Sequence, residues 1–240
     1  MGASRRDPGR RANEVEHPVE LRRAFYIAST ETTNAQFRQF EATHDSGLIE
    51  SYSLDRDHQP VAGISWQQAA SFCNWLSALE GLPPFYRENQ GIIIGFNPSS
   101  TGYRLPTEAE WAFSARVDGE SLRRFAWGDD FPPAQVVTNV ADNTSALVTG
   151  RILNGYTDQF VVSAPVGSFP PNHRGLHDMG GNVAEWVHDG YRIPPPTPSW
   201  RSTRWGAARR QLHDSRWQLG PEQALRAAAD VSRLRGARPR

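Results

Sequence analysis

Residues 176–189 read LHDMGGNVAEWVHD, and the rest of the chain is read outward from them. Two acids, Asp178 and Glu185, flank the pair Gly180–Gly181. Glycine takes positive φ without strain, so the pair predicts a sharp turn with carbonyls pointing inward. Two carboxylates beside turned carbonyls form an oxygen-rich pocket of the type a hard cation such as calcium prefers. The same residues fit a plain tight turn, with Trp186 as a core plug and Glu185 as a solvated or Arg-paired charge. Local chemistry alone favours that plainer alternative.

Upstream, the spacing predicts short elements joined by long loops. Residues 19–28, VELRRAFYIA, have strand composition around Phe25, Tyr26 and Ile27. Thr32 or Thr33 caps a helix running to Thr43, with Phe37 and Phe40 on one face; Glu31 is favoured there by the helix dipole and has no catalytic reading. Ser65 caps a second helix whose apolar stripe is Ala69, Phe72, Cys73 and Leu76, with Gly81 just past its end. Cys73 on that stripe reads as a buried, inert thiol. Residues 83–101 form a loop or hairpin around Ile92–Ile94. Thr107 and Glu110 make a capping box, which accounts for Glu110 as the helix dipole accounts for Glu108. Residues 125–169 are rich in Gly, Pro, Asn and Asp and need local fastening, which metal ions are one way to supply.

Composition narrows the classes. The 240 residues suit one large domain or two small ones, with 38% hydrophobic and 22% charged residues and zero formal net charge. That balance gives no electrostatic case for nucleic acid or a membrane surface, and no apolar run nears the roughly 20 residues of a membrane span. Every basic residue is Arg, a mark of a GC-rich genome. Cys73 is the one cysteine, so no internal disulfide and no cysteine-rich metal site is available. HExxH, Ser–His–Asp and phosphate-loop signatures are absent, and His173, His177 and His188 lack zinc spacing. Residues 192–240 hold 11 Arg against Asp214, Glu222 and Asp230 and open on Pro194–Pro196, the pattern of a weakly ordered tail.

Taken in order, GYRLPTEAEW (102–111), WGD (127–129), Asn139-Val140, APVGSFPPN (164–172) and LHDMGGNVAEW (176–186) resemble the domain of the formylglycine-generating enzymes, also called sulfatase-modifying factors. The resemblance runs from about Val19 to Tyr191. It implies an α+β, loop-rich variant of the C-type lectin-like fold over residues 1–191, with 192–240 a degraded or truncated C-terminal part of the same domain. It also implies two calcium sites. The first uses the Asn139 side chain, the Val140 carbonyl, the Asp158 side chain and the Phe160 carbonyl. The second uses Asp178, the Gly181 and Val183 carbonyls and Glu185. In that motif context the cation reading of 178–185 becomes the preferred one. Met1–Gly2 and Glu16–Pro18 look like an internal segment of the family, so an upstream strand or domain is expected; no signal peptide is visible as written, and the compartment stays unknown.

The resemblance also sets a chemical test. Family members oxidise a sulfatase cysteine to formylglycine with oxygen and, in the aerobic enzymes, copper held by two cysteines; soft thiolates suit Cu(I). The positions matching those cysteines hold Leu219 and Ala224. Copper is therefore not expected, and no catalytic residue is assigned. The expected role is binding a peptide or protein partner, or supporting a fused upstream domain. Two alternatives stay open: an incomplete or frameshifted formylglycine-generating oxidoreductase, and the corresponding domain of an ergothioneine-type sulfoxide synthase.

Overall fold

The computed structural model describes residues 1–2, 10–150 and 152–191; the expected tail at 192–240 lies outside them. Reciprocal capping boxes start three helices: Thr33 with Gln36 before α1 (Asn34–Phe37), Ser65 with Gln68 before α2 (Trp66–Leu79), and Thr107 with Glu110 before α3 (Glu108–Arg116). Each box satisfies two backbone N–H groups that a helix start leaves without partners. Past the C-cap Glu80, Gly81 takes φ +67°, the left-handed stop expected there.

Among the described residues the strands come as hairpins. Leu48–Ile49 (β1) pairs with Tyr52–Ser53 (β2), Tyr86–Asn89 (β3) with Ile92–Phe96 (β4), and Val117–Asp118 (β5) with Ser121–Leu122 (β6), all antiparallel. The β3–β4 turn places Gln90 and Gly91 at φ 49° and 76°, the two positive values a tight hairpin needs. In β4, Ile93 points into the core while Ile92 and Ile94 face solvent. A further short helix, α4 (Ala146–Thr149), interrupts the otherwise irregular 125–169 region.

Two expectations are corrected. Residues 19–28 form no strand, because among the described residues no neighbouring strand offers them a ladder; Ile27 packs instead on the cluster of Ala115, Ala126, Leu176 and Met179. The first helix stops at Phe37, well before Thr43. Beyond it Gln39 and Phe40 bond three residues back, to the Gln36 and Phe37 carbonyls, which tightens the chain into turns. Those turns bring Phe37 and Phe40 against Phe72 of α2.

The apolar interior is divided. Ala70, Cys73, Phe85, Tyr86 and Ile93 join α2 to the β3–β4 hairpin; Val140, Leu153 and Tyr156 form a separate cluster under the long loop. Cys73 is buried as expected, and desolvation pushes its thiol up to about 12. Glu110 is buried too. Its oxygens accept from both terminal nitrogens of Arg104, at 2.7 and 2.6 Å, and from the Thr107 N–H at 2.8 Å. Burial alone would raise the Glu110 carboxyl, but those bonds outweigh it and hold the group below the usual range.

A depressed carboxylate stabilises the fold above its unfolded pKa, and that contribution is lost as pH falls through the folded value. Glu110→Gln should therefore lower stability by about 3 kcal/mol at pH 7 in urea unfolding. The gap to wild type should close as pH falls below the glutamate range; a gap independent of pH would contradict the ion-pair account.

Candidate cation site

The 176–189 stretch does turn sharply, but the glycines are not what turns it. The left-handed residues are Asp178 at φ 59° and Asn182 at φ 65°, and neither Gly180 nor Gly181 has positive φ. Asp and Asn tolerate that region better than other side chains. The glycines supply close approach instead. A Cβ on Gly181 would stand 2.2 Å from the Asn139 carbonyl oxygen and 2.3 Å from Thr138 Oγ1; one on Gly180 would stand 2.5 Å from the Trp127 ring.

With the backbone that close, Asn182 joins three other residues through five hydrogen bonds. Its N–H donates to the Asn139 carbonyl at 3.0 Å. Its Oδ1 accepts from Ala164 N–H at 2.8 Å and from Asn139 Nδ2 at 3.2 Å. Its Nδ2 donates to the Ala164 carbonyl at 3.2 Å and to Glu31 Oε2 at 3.1 Å. Further along, Trp186 Nε1 donates to the Ile64 carbonyl, Trp66 Nε1 to the Val187 carbonyl, and His188 N–H to the Pro106 carbonyl. The starts of α2 and α3 are thus tied to one turn. Trp186 is a plug with a polar anchor, and among the described residues no Arg pairs with Glu185: its Oε2 accepts from Trp111 Nε1 at 2.8 Å.

The turn is rich in unsatisfied oxygen. Among the described residues, the buried side-chain atoms without a partner are Glu31 Oε1, Thr138 Oγ1 and Asp178 Oδ1, and all three residues border this turn. Asp178 is 5% exposed; its other oxygen accepts from the Gly167 N–H at 2.8 Å. A buried polar atom without a partner is costly, so the place asks for a cation or donor. Burial is the main cause that raises all three neighbouring carboxyls. Glu31 reaches about 9, with Asp178 adding to the shift and Asn182 opposing it. Asp178 rises against the Gly167 N–H and the His177 ring. Glu185 keeps surface exposed as a residue, but its crowded carboxyl end is desolvated and rises against the Trp111 bond.

The first residue set also comes together. Asp158 accepts from Val140 N–H at 2.9 Å through Oδ2 and from Phe160 N–H at 2.8 Å through Oδ1. Burial still pushes its carboxyl up to about 6. Asn139 Nδ2 donates to the Val162 carbonyl and to Asn182, so the two residue sets adjoin through the Asn139–Asn182 bond. Both sets fit a hard cation by donor chemistry, since a carboxylate oxygen holding one N–H keeps a second lone pair. Among the described residues, no three His, Cys, Asp or Glu side chains converge tightly enough to hold an ion alone, so backbone carbonyls are needed in each set.

Three participants were missed in the sequence. Glu31 faces the turn, and α1 has no acidic residue in its first turn. Asp142 is fully buried and accepts from the Thr144, Ser145 and Asp158 N–H groups; the Asp-Asn-Thr-Ser run was an available turn signal. Thr138 is fixed by Tyr156, whose hydroxyl accepts from its N–H and donates to its carbonyl. Beside the turn lies a cavity of about 130 Å³ lined by Trp127, Thr138, Pro171, Leu176 and Asp178.

Fold and site define a mixed, loop-rich domain knotted by one buried polar turn. The profile of the sulfatase-modifying factor enzyme 1-like domain matches residues 1–218, and the chain belongs to that family. Similar proteins include the chaperone protein LppX of Paenibacillus barcinonensis, 27% identical over 84% of this chain and 79% of LppX. The formylglycine-generating enzyme of Mus musculus is 32% identical over 70% of this chain and 50% of its own length, so the chain spans half of that relative. The inactive C-alpha-formylglycine-generating enzyme 2 of the same species is 32% identical over 61% of this chain and 36% of its own. Of solved structures, CarF superposes with a TM-score of 0.53 at 30% identity, covering 70% of this chain and 69% of CarF. PvdO from Pseudomonas aeruginosa gives 0.56 at 23% identity, covering 80% and 67%, a likeness of fold alone.

The close approach of the glycines is directly testable. Gly181→Ala drives a methyl into backbone and should cost about 3 kcal/mol, whereas Gly180→Ala meets a ring with some freedom to shift and should cost about 1 kcal/mol. Urea unfolding of the two variants measures both. Equal losses would mean that close approach at Asn139 is not what Gly181 provides.

Proposed function

We propose that this chain is a non-catalytic member of the family, a C-type lectin-like binding domain fastened by calcium, whose ligand is a peptide or protein partner or a fused upstream domain. The observation that carries the reading is the cysteine inventory. The family's copper chemistry uses two thiolates, and this chain has one cysteine. Cys73 is buried among Ala70, Phe85, Tyr86 and Ile93, where ionisation is disfavoured. The likeness to a protein named inactive and to one named a chaperone supports a binding role. The cavity beside Trp127 is a recess that such a ligand could enter without any thiol.

In this reading Asp178, the Gly181 and Val183 carbonyls and Glu185 would hold one calcium, and Asn139, the Val140 carbonyl, Asp158 and the Phe160 carbonyl the other. Bound calcium supplies positive charge to buried oxygens that otherwise lack a counter-charge. The chain's own residues do the remaining work. Asn182 fixes the turn, Thr138 and Gly181 set its depth, and Trp111 orients Glu185.

A second reading, an incomplete formylglycine-generating oxidoreductase, is favoured by the 32% identity to the mouse enzyme. One assay separates the two: the purified chain is incubated with a cysteine-containing sulfatase peptide, copper(I), reductant and oxygen, and the peptide is weighed by mass spectrometry. No conversion is expected; conversion that survives Cys73→Ser would overturn the non-catalytic reading. Calcium is tested separately. At a hundredfold excess over Kd, a ligand of the native state stabilises by about 2.7 kcal/mol, or roughly 5–10 °C in Tm for a chain of this size. An unchanged Tm between calcium and chelator, with no metal by elemental analysis, rejects occupied calcium sites.

A further inference from the structure

Of the asparagines in the chain, Asn154 alone precedes a glycine. The Asn154–Gly155 pair forms an exposed turn between two buried residues, Leu153 and Tyr156. Gly155 takes φ +79°, and a Cβ built on it would meet nothing within 4 Å, so its backbone faces open space. Among the described residues nothing accepts from the Gly155 N–H, and the Asn154 amide makes no hydrogen bond. The amides of Asn34, Asn139 and Asn182, by contrast, are held by carbonyls and neighbouring side chains.

An asparagine carboxamide is open to attack by the main-chain nitrogen of the next residue when that nitrogen is unshielded. Glycine puts no side chain in the way and adopts the backbone angles that ring closure needs. The Gly155 nitrogen gives up its proton and bonds to Asn154 Cγ. The Cγ–Nδ2 bond breaks, and ammonia leaves with that proton. The cyclic imide then takes up water. Opening at Cγ gives aspartate; opening at the main-chain carbonyl gives isoaspartate, whose chain runs through the β carbon and is longer by that atom. Water is the co-reactant, and nothing is oxidised. Two aspartates also precede glycines, but Asp118 pairs with Arg123 and Asp189 accepts from the Glu108 N–H, and a carboxylate is a poorer electrophile than an amide.

The turn joins two anchors. The Leu153 N–H donates to the Ala141 carbonyl at 2.7 Å, and its side chain packs with Val140 and Tyr156. The Tyr156 hydroxyl accepts from the Val137 and Thr138 N–H groups, at 3.0 and 3.2 Å, and donates to the Thr138 carbonyl at 2.7 Å. An extra main-chain atom between such anchors must displace one of them, because a close-packed interior has no slack to absorb it. Residues 137 and 138 lead directly into Asn139, which bonds Asn182, so a shifted Tyr156 is felt at the central turn.

We infer that Asn154 is a site of spontaneous deamidation, and that its isoaspartate product loosens the Tyr156 anchor and weakens the fold as the protein ages. The inference stands apart from the calcium and binding readings.

The experiment ages the purified full chain and Asn154→Gln in warm, mildly alkaline buffer. Peptide mapping by mass spectrometry and labelling with an isoaspartate-specific methyltransferase locate the product, and fresh and aged samples are unfolded in urea. Asn154 should convert ahead of every other asparagine. It should convert faster at higher pH, because the attacking nitrogen must lose its proton, and about as fast in the folded chain as in urea. Asn154→Gln, whose longer side chain closes a ring far more slowly, should gain no label at this position. Aged wild type should lose roughly tenfold in its folded-to-unfolded ratio, while aged Asn154→Gln keeps its starting value. Fresh Asn154→Asp has the new charge on a chain of ordinary length and should keep most of the stability. An intact Asn154 after ageing, or another asparagine converting first, overturns the site. A converted Asn154 with an unchanged urea midpoint overturns the link to Tyr156. An equal loss in fresh Asn154→Asp also overturns it, because charge alone would then be the cause.

Discussion

The side chain of Asn182 is the interaction on which the remaining structure depends. A primary amide has two donor hydrogens and an acceptor oxygen with two lone pairs. Here every one is used: two donors go to Glu31 and Ala164, and the oxygen takes Ala164 and Asn139. The four contacts come from three stretches of chain far apart in sequence. The arrangement requires the left-handed backbone at Asn182 and a neighbour without a side chain at 181. Few residue types meet the first condition, and only glycine meets the second without displacing the Asn139 carbonyl.

This junction matters because the regular elements are too small to hold the molecule together by themselves. Each sheet has two strands, and a two-stranded hairpin is marginal by itself in water. The apolar residues form separate clusters, one under the β3–β4 hairpin, one between α3 and the turn, and one below the long loop. Polar bonds join them: Asp142 closes the long loop, Asp158 clamps Val140 to Phe160, and Trp66 and Trp186 anchor the turn to the start of α2. Carboxylates serve as internal connectors here because one oxygen receives several N–H groups. Burial raises the carboxyls of Asp158, Asp178, Glu31 and Glu185, and that cost of holding charge inside is the physical reason a cation enters the proposal.

Local chemistry was legible in the sequence where it is short-ranged. The cap at Ser65, the capping box at Thr107, the stop at Gly81 and the inward face of Cys73 all follow from residues within a few positions of one another. The motif order from Gly102 to Trp186 pointed to the family, which the profile match establishes. What escaped depends on distance. Glu31 looked like a helix-dipole acid because its partner lies 151 positions away. The glycine pair was assigned to backbone freedom, when its absent side chains are what the Trp127 ring and the Asn139 carbonyl require. Residues 19–28 had strand composition, but composition does not supply a partner strand.

The direction in which the turn's bonds run has a consequence for how the chain is made. Ser29, Glu31, Ile64, Pro106, Asn139 and Ala164 all precede the turn that fastens them. Ribosomes add about 5–20 residues each second, so Glu31 waits roughly 8–30 seconds for Asn182 to be synthesised. During that interval α2 and its hairpin have local partners and form early, while the acids near the future turn remain hydrated and ionised. Closing so long a loop costs only slightly more than closing one half its length, since the entropy grows with the logarithm of length. On the ribosome, the contacts that Asn182 makes can form only after the 176–189 turn has been synthesised, whatever the pieces before it have already done.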